Sequence, residues 1–311
     1  MKKLKKSVKI VEVGLRDGLQ NETTKLTVKQ RLSLLEKLVD AGVKNFELGA
    51  FVSPDWVPQM SVTAELVKSY QQSSFFNSRF SAGVLVPNEK GMQQAIDQKI
   101  KEVAIFAACS ESFSIKNINC SIDESFRRFE VVMKLAKKHK IKVRGYLSTC
   151  FGCPFEGEIS EKKVISLAKR MKQLGVYEIS IGDTIGVAHP GQIKSLFKKL
   201  SQIIPLNKLA GHFHDTRGLA LANILACYEL GVRTFDTSLG GLGGCPYAPG
   251  ASGNIATEDV VYMFEGMNVK TDLNLNKLIQ THQWLQPMMD HALPSKVGHV
   301  GLLKPLGFIH K

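Results

Sequence analysis

The stretch Ala41-Gly42-Val43-Lys44-Asn45-Phe46-Glu47-Leu48 occurs in three versions along the chain. It returns as Leu174-Gly175-Val176-Tyr177-Glu178-Ile179-Ser180-Ile181 and as Leu230-Gly231-Val232-Arg233-Thr234-Phe235-Asp236-Thr237. Each time an amphipathic segment ends in Gly-Val and a short strand-like run follows. Glycine directly after a helix supplies the left-handed cap that other residues adopt at a cost. In the strand, successive side chains alternate in facing. Phe46, Ile179 and Phe235 therefore point one way, toward covering helices, and Glu47, Ser180 and Asp236 point the other way. Three polar residues at one inward position predict a shared polar interior.

Working outward from this unit, eight candidate strands appear near residues 8–13, 44–48, 81–86, 102–107, 141–148, 177–182, 209–214 and 233–238, each followed by a helical pattern. Thr27-x-x-Gln30 and Ser121-x-x-Glu124 read as capping boxes. Apolar stripes follow at Val28, Leu32, Leu35 and Val39, at Phe129, Val132, Met133 and Ala136, and at Val164, Leu167, Ala168, Met171 and Leu174. Eight β/α units predict an α/β (β/α)8 TIM barrel over about residues 8–267, with extra C-terminal helices over about 268–311, the whole a single catalytic domain. The rival is a Rossmann-type sheet, but no G-x-G-x-x-G follows the first strand.

Composition sets the outer bounds. The 311 residues are 44% hydrophobic and 22% charged, ordinary values for a globular chain. No apolar run approaches the roughly 18 residues of a membrane span. The N-terminus, MKKLKKSVKI, lacks the apolar core of a secretory signal, so a cytoplasmic location is the expectation. The net charge of +13 is spread thinly, which argues for a solvated surface rather than a nucleic-acid interface and suits attraction of an anionic substrate. Cys150 and Cys153 are the only closely spaced pair among six cysteines. No second pair at zinc-ribbon spacing accompanies them, and they read as reduced structural thiols at a loop.

Active sites of such barrels lie at the C-terminal strand ends. The first strand runs into Glu12-Val13-Gly14-Leu15-Arg16-Asp17-Gly18, an adjacent cation and carboxylate at the barrel mouth. The seventh ends Gly211-His212-Phe213-His214-Asp215; two residues apart on a strand puts both imidazoles on one face. Paired imidazoles near a carboxylate point to a metal or a proton relay, and without a thiolate set Mg²⁺ or Mn²⁺ is the better match. After the eighth strand, the glycine-rich run from Ser238 to Asn254 permits close backbone approach to a ligand and carries Cys245 between Gly and Pro. It lacks the Lys-Ser/Thr ending of a phosphate-binding Walker loop.

Together these segments resemble the 3-hydroxy-3-methylglutaryl-CoA lyase family from about residue 8 to about 267. The runs VEVGLRDGLQNE, FVSPDWVPQM (51–60), KNINCSIDESF (116–126), GDTIG (182–186) and GLGGCPYAPGASGN (241–254) carry the resemblance. It implies a divalent-metal carbon–carbon lyase that forms acetyl-CoA and acetoacetate from a CoA thioester, and a homodimer. It implies Asp17, His212, His214 and Asn254 as metal ligands, Arg16 at substrate and enolate, and Cys245 as the catalytic thiol. Glu12, Glu47, Ser180, Asp183 and Thr184 would line the substrate site, and either Asp17 or His212 would take the hydroxyl proton. The chain departs from the family pattern at Leu15, Thr23, Leu48-Gly49-Ala50 and Gly240. The change at Ala50 raises a bulkier 3-substituted glutaryl-CoA as an alternative substrate. A ketoacid aldolase or synthase of the same superfamily lacks the Cys245 loop. No nucleic-acid or membrane partner is implied.

Overall fold

The computed structural model describes residues 7–244 and 253–301. Eight parallel strands close into a barrel in sequence order. They are β1 (Lys9–Glu12), β2 (Asn45–Ala50), β3 (Ser81–Leu85), β4 (Glu102–Ala108), β5 (Lys142–Ser148), β6 (Ile179–Asp183), β7 (Leu209–Phe213) and β8 (Thr234–Thr237). The last pairs with the first, Val11 opposite Asp236. Around them run α1 (Val28–Asp40), α2 (Thr63–Gln71), α3 (Glu89–Asp97), α4 (Glu111–Ile118), α5 (Ile122–His139), α6 (Glu161–Leu174), α7 (Pro190–Leu200), α8 (Ala220–Leu230) and α9 (Thr257–Gly266). The expected barrel is present; between β4 and β5 stand two helices, α4 and α5.

The repeated Gly-Val unit works as its residues dictate. Gly42, Gly175 and Gly231 have φ of +99°, +92° and +111°, the left-handed region where a Cβ is costly. The chain can then reverse from helix to strand without delay. Phe46 packs edge-on against Tyr70 of α2, and Phe235 lies against Phe264 of α9. Glu47, Ser180 and Asp236 are buried inside the barrel.

Helix starts agree in part. Thr27 and Gln30 form a complete capping box on α1. At α5, Ser121 accepts from the Glu124 N–H, but the Glu124 carboxylate turns outward to Arg127 and Arg128, so that box is half made. The buried face of α1 consists of Arg31, Leu34, Leu35 and Leu38, rotated from the expected stripe, with Val28, Leu32 and Val39 half-buried on its flanks. Arg31 accounts for the rotation. Its guanidinium is buried against the carbonyls of Leu26 and Gln59 at 3.2 and 2.8 Å, a polar anchor that apolar periodicity cannot register.

Beyond α9 come α10 (Leu275–Leu285) and α11 (Lys296–Val300), the C-terminal helices expected from the sequence. They brace the glycine-rich segment after β8. His282 of α10 contacts the buried Glu258 at 3.0 Å, and Glu258 in turn accepts from the Gly240 N–H. Asp259 accepts from the Ser295 hydroxyl and from the N–H groups of Lys296 and Val297, which fixes the start of α11. No helix among the described residues is long and apolar enough to cross a membrane.

Candidate active site

The chain leaves β1 through a single π-helical turn over Gly14–Gly18. Such turns widen the backbone spiral and are frequent at functional sites. This one holds Arg16 and Asp17 over the C-terminal mouth of the barrel. Arg16 is buried; its Nε donates to Glu47 Oε2 at 2.6 Å, Nη1 donates to Asp17 Oδ1, and its guanidinium lies over the Tyr146 ring. The two carboxylates fix the guanidinium plane, and together they hold Arg16 charged against its burial.

From β7, His212 and His214 turn inward as the i, i+2 spacing requires. Their Nε2 atoms lie 3.3 Å apart. Asp17 Oδ2 sits 3.6 Å from the first and 3.8 Å from the second. Burial disfavours the Asp17 carboxylate, yet Arg16 and the two imidazoles hold its pKa well below the usual range. Asn254 completes the group. An isolated bridge between His214 and Asn254 brings this residue alongside β7, and its Nδ2 donates to Asp17 Oδ2 at 2.9 Å.

This donor set fits a divalent cation. Asp236 Oδ2 lies 3.3 Å from His212 Nδ1; with that nitrogen protonated, the lone pair resides on Nε2. Two imidazole Nε2 atoms and a carboxylate oxygen then converge within 4.8 Å. Facing lone pairs need a proton or a cation between them. Asn254 Oδ1 is also buried with no partner. An orphaned amide oxygen beside a carboxylate is a ligand in waiting.

Beneath this group lies a buried polar chain. The Tyr146 hydroxyl donates to Glu47 Oε1 at 3.0 Å and accepts from Arg144 Nη1 at 2.6 Å. Arg144 also pairs with Glu178 at 2.8 Å and sets Nη2 2.8 Å from Asp236 Oδ1, an ion contact without hydrogen-bond alignment. Ser180 donates to Asp236 Oδ2 at 2.6 Å. Arg16 and His212 are thus held from below by one connected network. Sequence reading found Glu47, Ser180 and Asp236 as inward residues but missed Arg144 and Tyr146. Their signal was the same alternation, two apart on β5.

A cavity of about 370 Å³ opens above, lined by Arg16, Asp17, His212, His214, Thr184 and Gly244 on its polar side. Ala50, Trp56, Phe106, Phe113 and Phe129 form an apolar wall, and Arg128 adds a cation. Of that wall the sequence pointed to Ala50 and, within the run 51–60, to Trp56; Phe106, Phe113 and Phe129 lie in no such motif. Several residues expected to touch substrate are committed elsewhere. Glu47 and Ser180 lie one layer below the cavity. The Asp183 carboxylate accepts from the N–H groups of Val187 and Ala188 at 3.0 and 2.9 Å and shapes the loop after β6. Glu12 accepts from the N–H groups of Gly14 and Leu239 and from the Thr257 hydroxyl, tying β1 to the segment after β8. Cys245 lies outside the described residues. The described residues before it are anchored, with Asn21 Nδ2 on the Gly244 carbonyl at 2.9 Å and the Gly243 N–H on Glu22 Oε1 at 3.2 Å.

Against known proteins, a family profile described as HMGL-like matches residues 7–285. The mitochondrial hydroxymethylglutaryl-CoA lyase of Homo sapiens is 49% identical over 94% of this chain and 89% of its own length. A solved hydroxymethylglutaryl-CoA lyase from Pseudomonas aeruginosa superposes with a TM-score of 0.91 at 43% identity, covering 96% of this chain and 98% of that one. An HMG-CoA lyase from Acinetobacter baumannii, solved with coenzyme A and 3-methylmalate, gives a TM-score of 0.92 at 36% identity, over 99% and 100% of the two chains. By fold, by site and by these relatives, the chain belongs to the HMGL-like family of hydroxymethylglutaryl-CoA lyases.

Proposed function

We propose that this protein cleaves 3-hydroxy-3-methylglutaryl-CoA to acetyl-CoA and acetoacetate with a divalent metal held by Asp17, His212, His214 and Asn254. The observation that carries the proposal is the convergence of Asp17, His212 and His214 within 4.8 Å beside a buried arginine, at the floor of one cavity. Two imidazoles with two oxygen donors favour Mn²⁺ over Mg²⁺, though both accept such a set. When bound, the metal lowers the pKa of the substrate's tertiary hydroxyl and polarises it for ionisation.

The chain's own groups then divide the work. Loss of the hydroxyl proton forms a ketone at C3, breaks the C2–C3 bond and leaves the electron pair on C2 as a thioester enolate. Arg16 is fixed where that enolate oxygen gathers charge, and a preorganised cation there stabilises the transition state without rearrangement. Protonation of C2 yields acetyl-CoA, and Cys245 is the donor we assign on family resemblance. His212 has one free ring nitrogen, because Nδ1 is engaged with Asp236. It cannot ligate and take the proton in the same complex, whereas each Asp17 oxygen keeps a second lone pair beyond its Arg16 or metal contact, so we assign proton acceptance to Asp17. A weakly basic carboxylate suffices once the hydroxyl is acidified. The family relatives support the methyl branch rather than a bulkier one. Incubating the purified protein with 3-hydroxy-3-methylglutaryl-CoA and Mn²⁺ should release acetyl-CoA and acetoacetate in equal amounts. Hydrolysis to free CoA without acetoacetate would overturn the assignment.

A further inference from the structure

The opposite end of the barrel holds a second cavity, of about 490 Å³. Its wall includes Ser81, Glu102 and Lys142, the first residues of β3, β4 and β5, which places it at the N-terminal face, away from Arg16 and the imidazoles. In barrels of this kind that face serves stability and carries no chemistry. A cavity of this size is within the range of small-molecule sites and is larger than packing voids.

Its chemistry is two-sided. Leu48, Val67, Ile100 and Phe80 supply an apolar floor. At its edge Tyr70, only 2% exposed, has a hydroxyl with no hydrogen-bond partner. The Asn77 backbone N–H is near enough to offset part of the burial effect on this phenol, but it makes no bond of normal geometry. A buried unpaired hydroxyl costs stability unless something fills its valence. Around the mouth stand Arg79, Lys99, Lys101 and Lys142, all exposed and none ion-paired among the described residues. The single carboxylate of the wall, Glu102, is occupied by the Ser81 and Tyr177 hydroxyls, each at 2.6 Å. The net lining charge is positive and the interior is apolar, with the Tyr70 hydroxyl buried behind that lining.

We infer that this N-terminal cavity binds an amphipathic carboxylate, its apolar body on Leu48, Val67 and Phe80 and its carboxylate among the rim cations. A cationic or purely polar ligand does not fit that lining. The test is isothermal titration of the full-length protein with octanoate, repeated with acetate and with octylammonium. Octanoate binds saturably at one site per chain, and the other two do not. Charge reversal at the exposed rim, Arg79→Glu with Lys101→Glu, weakens octanoate by roughly tenfold, and Ala82→Phe, which fills the cavity, does so at least as strongly. Saturating acetyl-CoA leaves octanoate binding unchanged, because the two cavities open on opposite faces. No saturable binding, equal binding of octylammonium, or competition by acetyl-CoA would each overturn the inference. Should Ala82→Phe fail to fold, the surface charge reversal decides alone.

Discussion

Replacing Glu47 by Gln changes one buried oxygen to nitrogen and little else, which makes it a sharp probe of how the site is held. Glu47 spends both oxygens: Oε2 accepts from Arg16 Nε and Oε1 accepts from the Tyr146 hydroxyl. A glutamine keeps one acceptor. Its amide nitrogen then faces either a guanidinium N–H, donor against donor, or the Tyr146 hydroxyl, whose hydrogen loses its acceptor. Arg16 would retain Asp17 as its sole anionic partner. Breaking one side of a buried ion pair costs about 3–5 kcal/mol. The remaining Asp17 contact and the retained amide acceptor place Glu47→Gln near the lower end, about 3 kcal/mol. Catalysis suffers separately, because Arg16 is free to swing toward Asp17 and away from the developing enolate. Loss of one preorganised donor at such a position lowers kcat by roughly 100-fold or more. KM should move far less, since the CoA moiety does not depend on this contact. The assays are urea unfolding and steady-state acetoacetate release. A variant with near-native stability and a kcat within a few-fold of wild type would refute the claim that Glu47 positions Arg16.

Other consequences are equally open to measurement. Asp236→Asn removes the carboxylate that fixes the His212 tautomer, so Mn²⁺ affinity should fall by roughly 10–100-fold while the fold persists, as read by electron paramagnetic resonance titration; unchanged affinity would remove Asp236 from the account. Burial pushes the Glu12 carboxyl from 4.5 up to about 7, against the hydrogen bonds from Thr257, Leu239 and Gly14 that favour the ion. A carboxyl raised on folding contributes most below pH 4.5, and its contribution is lost as pH rises through 7. The stability gap between wild type and Glu12→Gln should therefore shift by about 3 kcal/mol against wild type across that window, and a flat difference would contradict it. Gly42→Ala asks for φ of +99° and a Cβ 2.6 Å from the Asp272 carbonyl oxygen. It should cost about 1–3 kcal/mol in thermal or urea unfolding, and a neutral result would mean the turn can relax.

The sequence reading succeeded where function depends on local spacing. The Gly-Val turns, the alternation that sends Glu47, Ser180 and Asp236 inward, and the His-x-His face all follow from residues a few positions apart. It fell short where partners are distant in the chain. Cys150 illustrates this: its near thiol neighbour is Cys109, 3.7 Å away, and not Cys153. That proximity is set by the register of β4 on β5, Ala108 opposite Ser148, which no local pattern encodes. Arg144 reads as one charged residue in a strand until closure of the barrel brings Glu178 and Asp236 to it. The same closure decides that Asp183 and Glu12 serve backbone N–H groups instead of the cavity. The apolar wall above the imidazoles is assembled from two separate βα units, those of β2 and β4, and has no periodic pattern of its own.

The central claim is that the Asp17, His212 and His214 cluster binds the metal on which carbon–carbon cleavage depends. The most direct test strips the protein with chelator and titrates Mn²⁺ back, following bound metal and acetoacetate release together. The account predicts that activity vanishes on stripping, returns in proportion to one bound Mn²⁺ per chain, and does not return in Asp17→Asn at the same metal concentration. Full activity in the stripped protein, or recovery in Asp17→Asn equal to wild type, would contradict it.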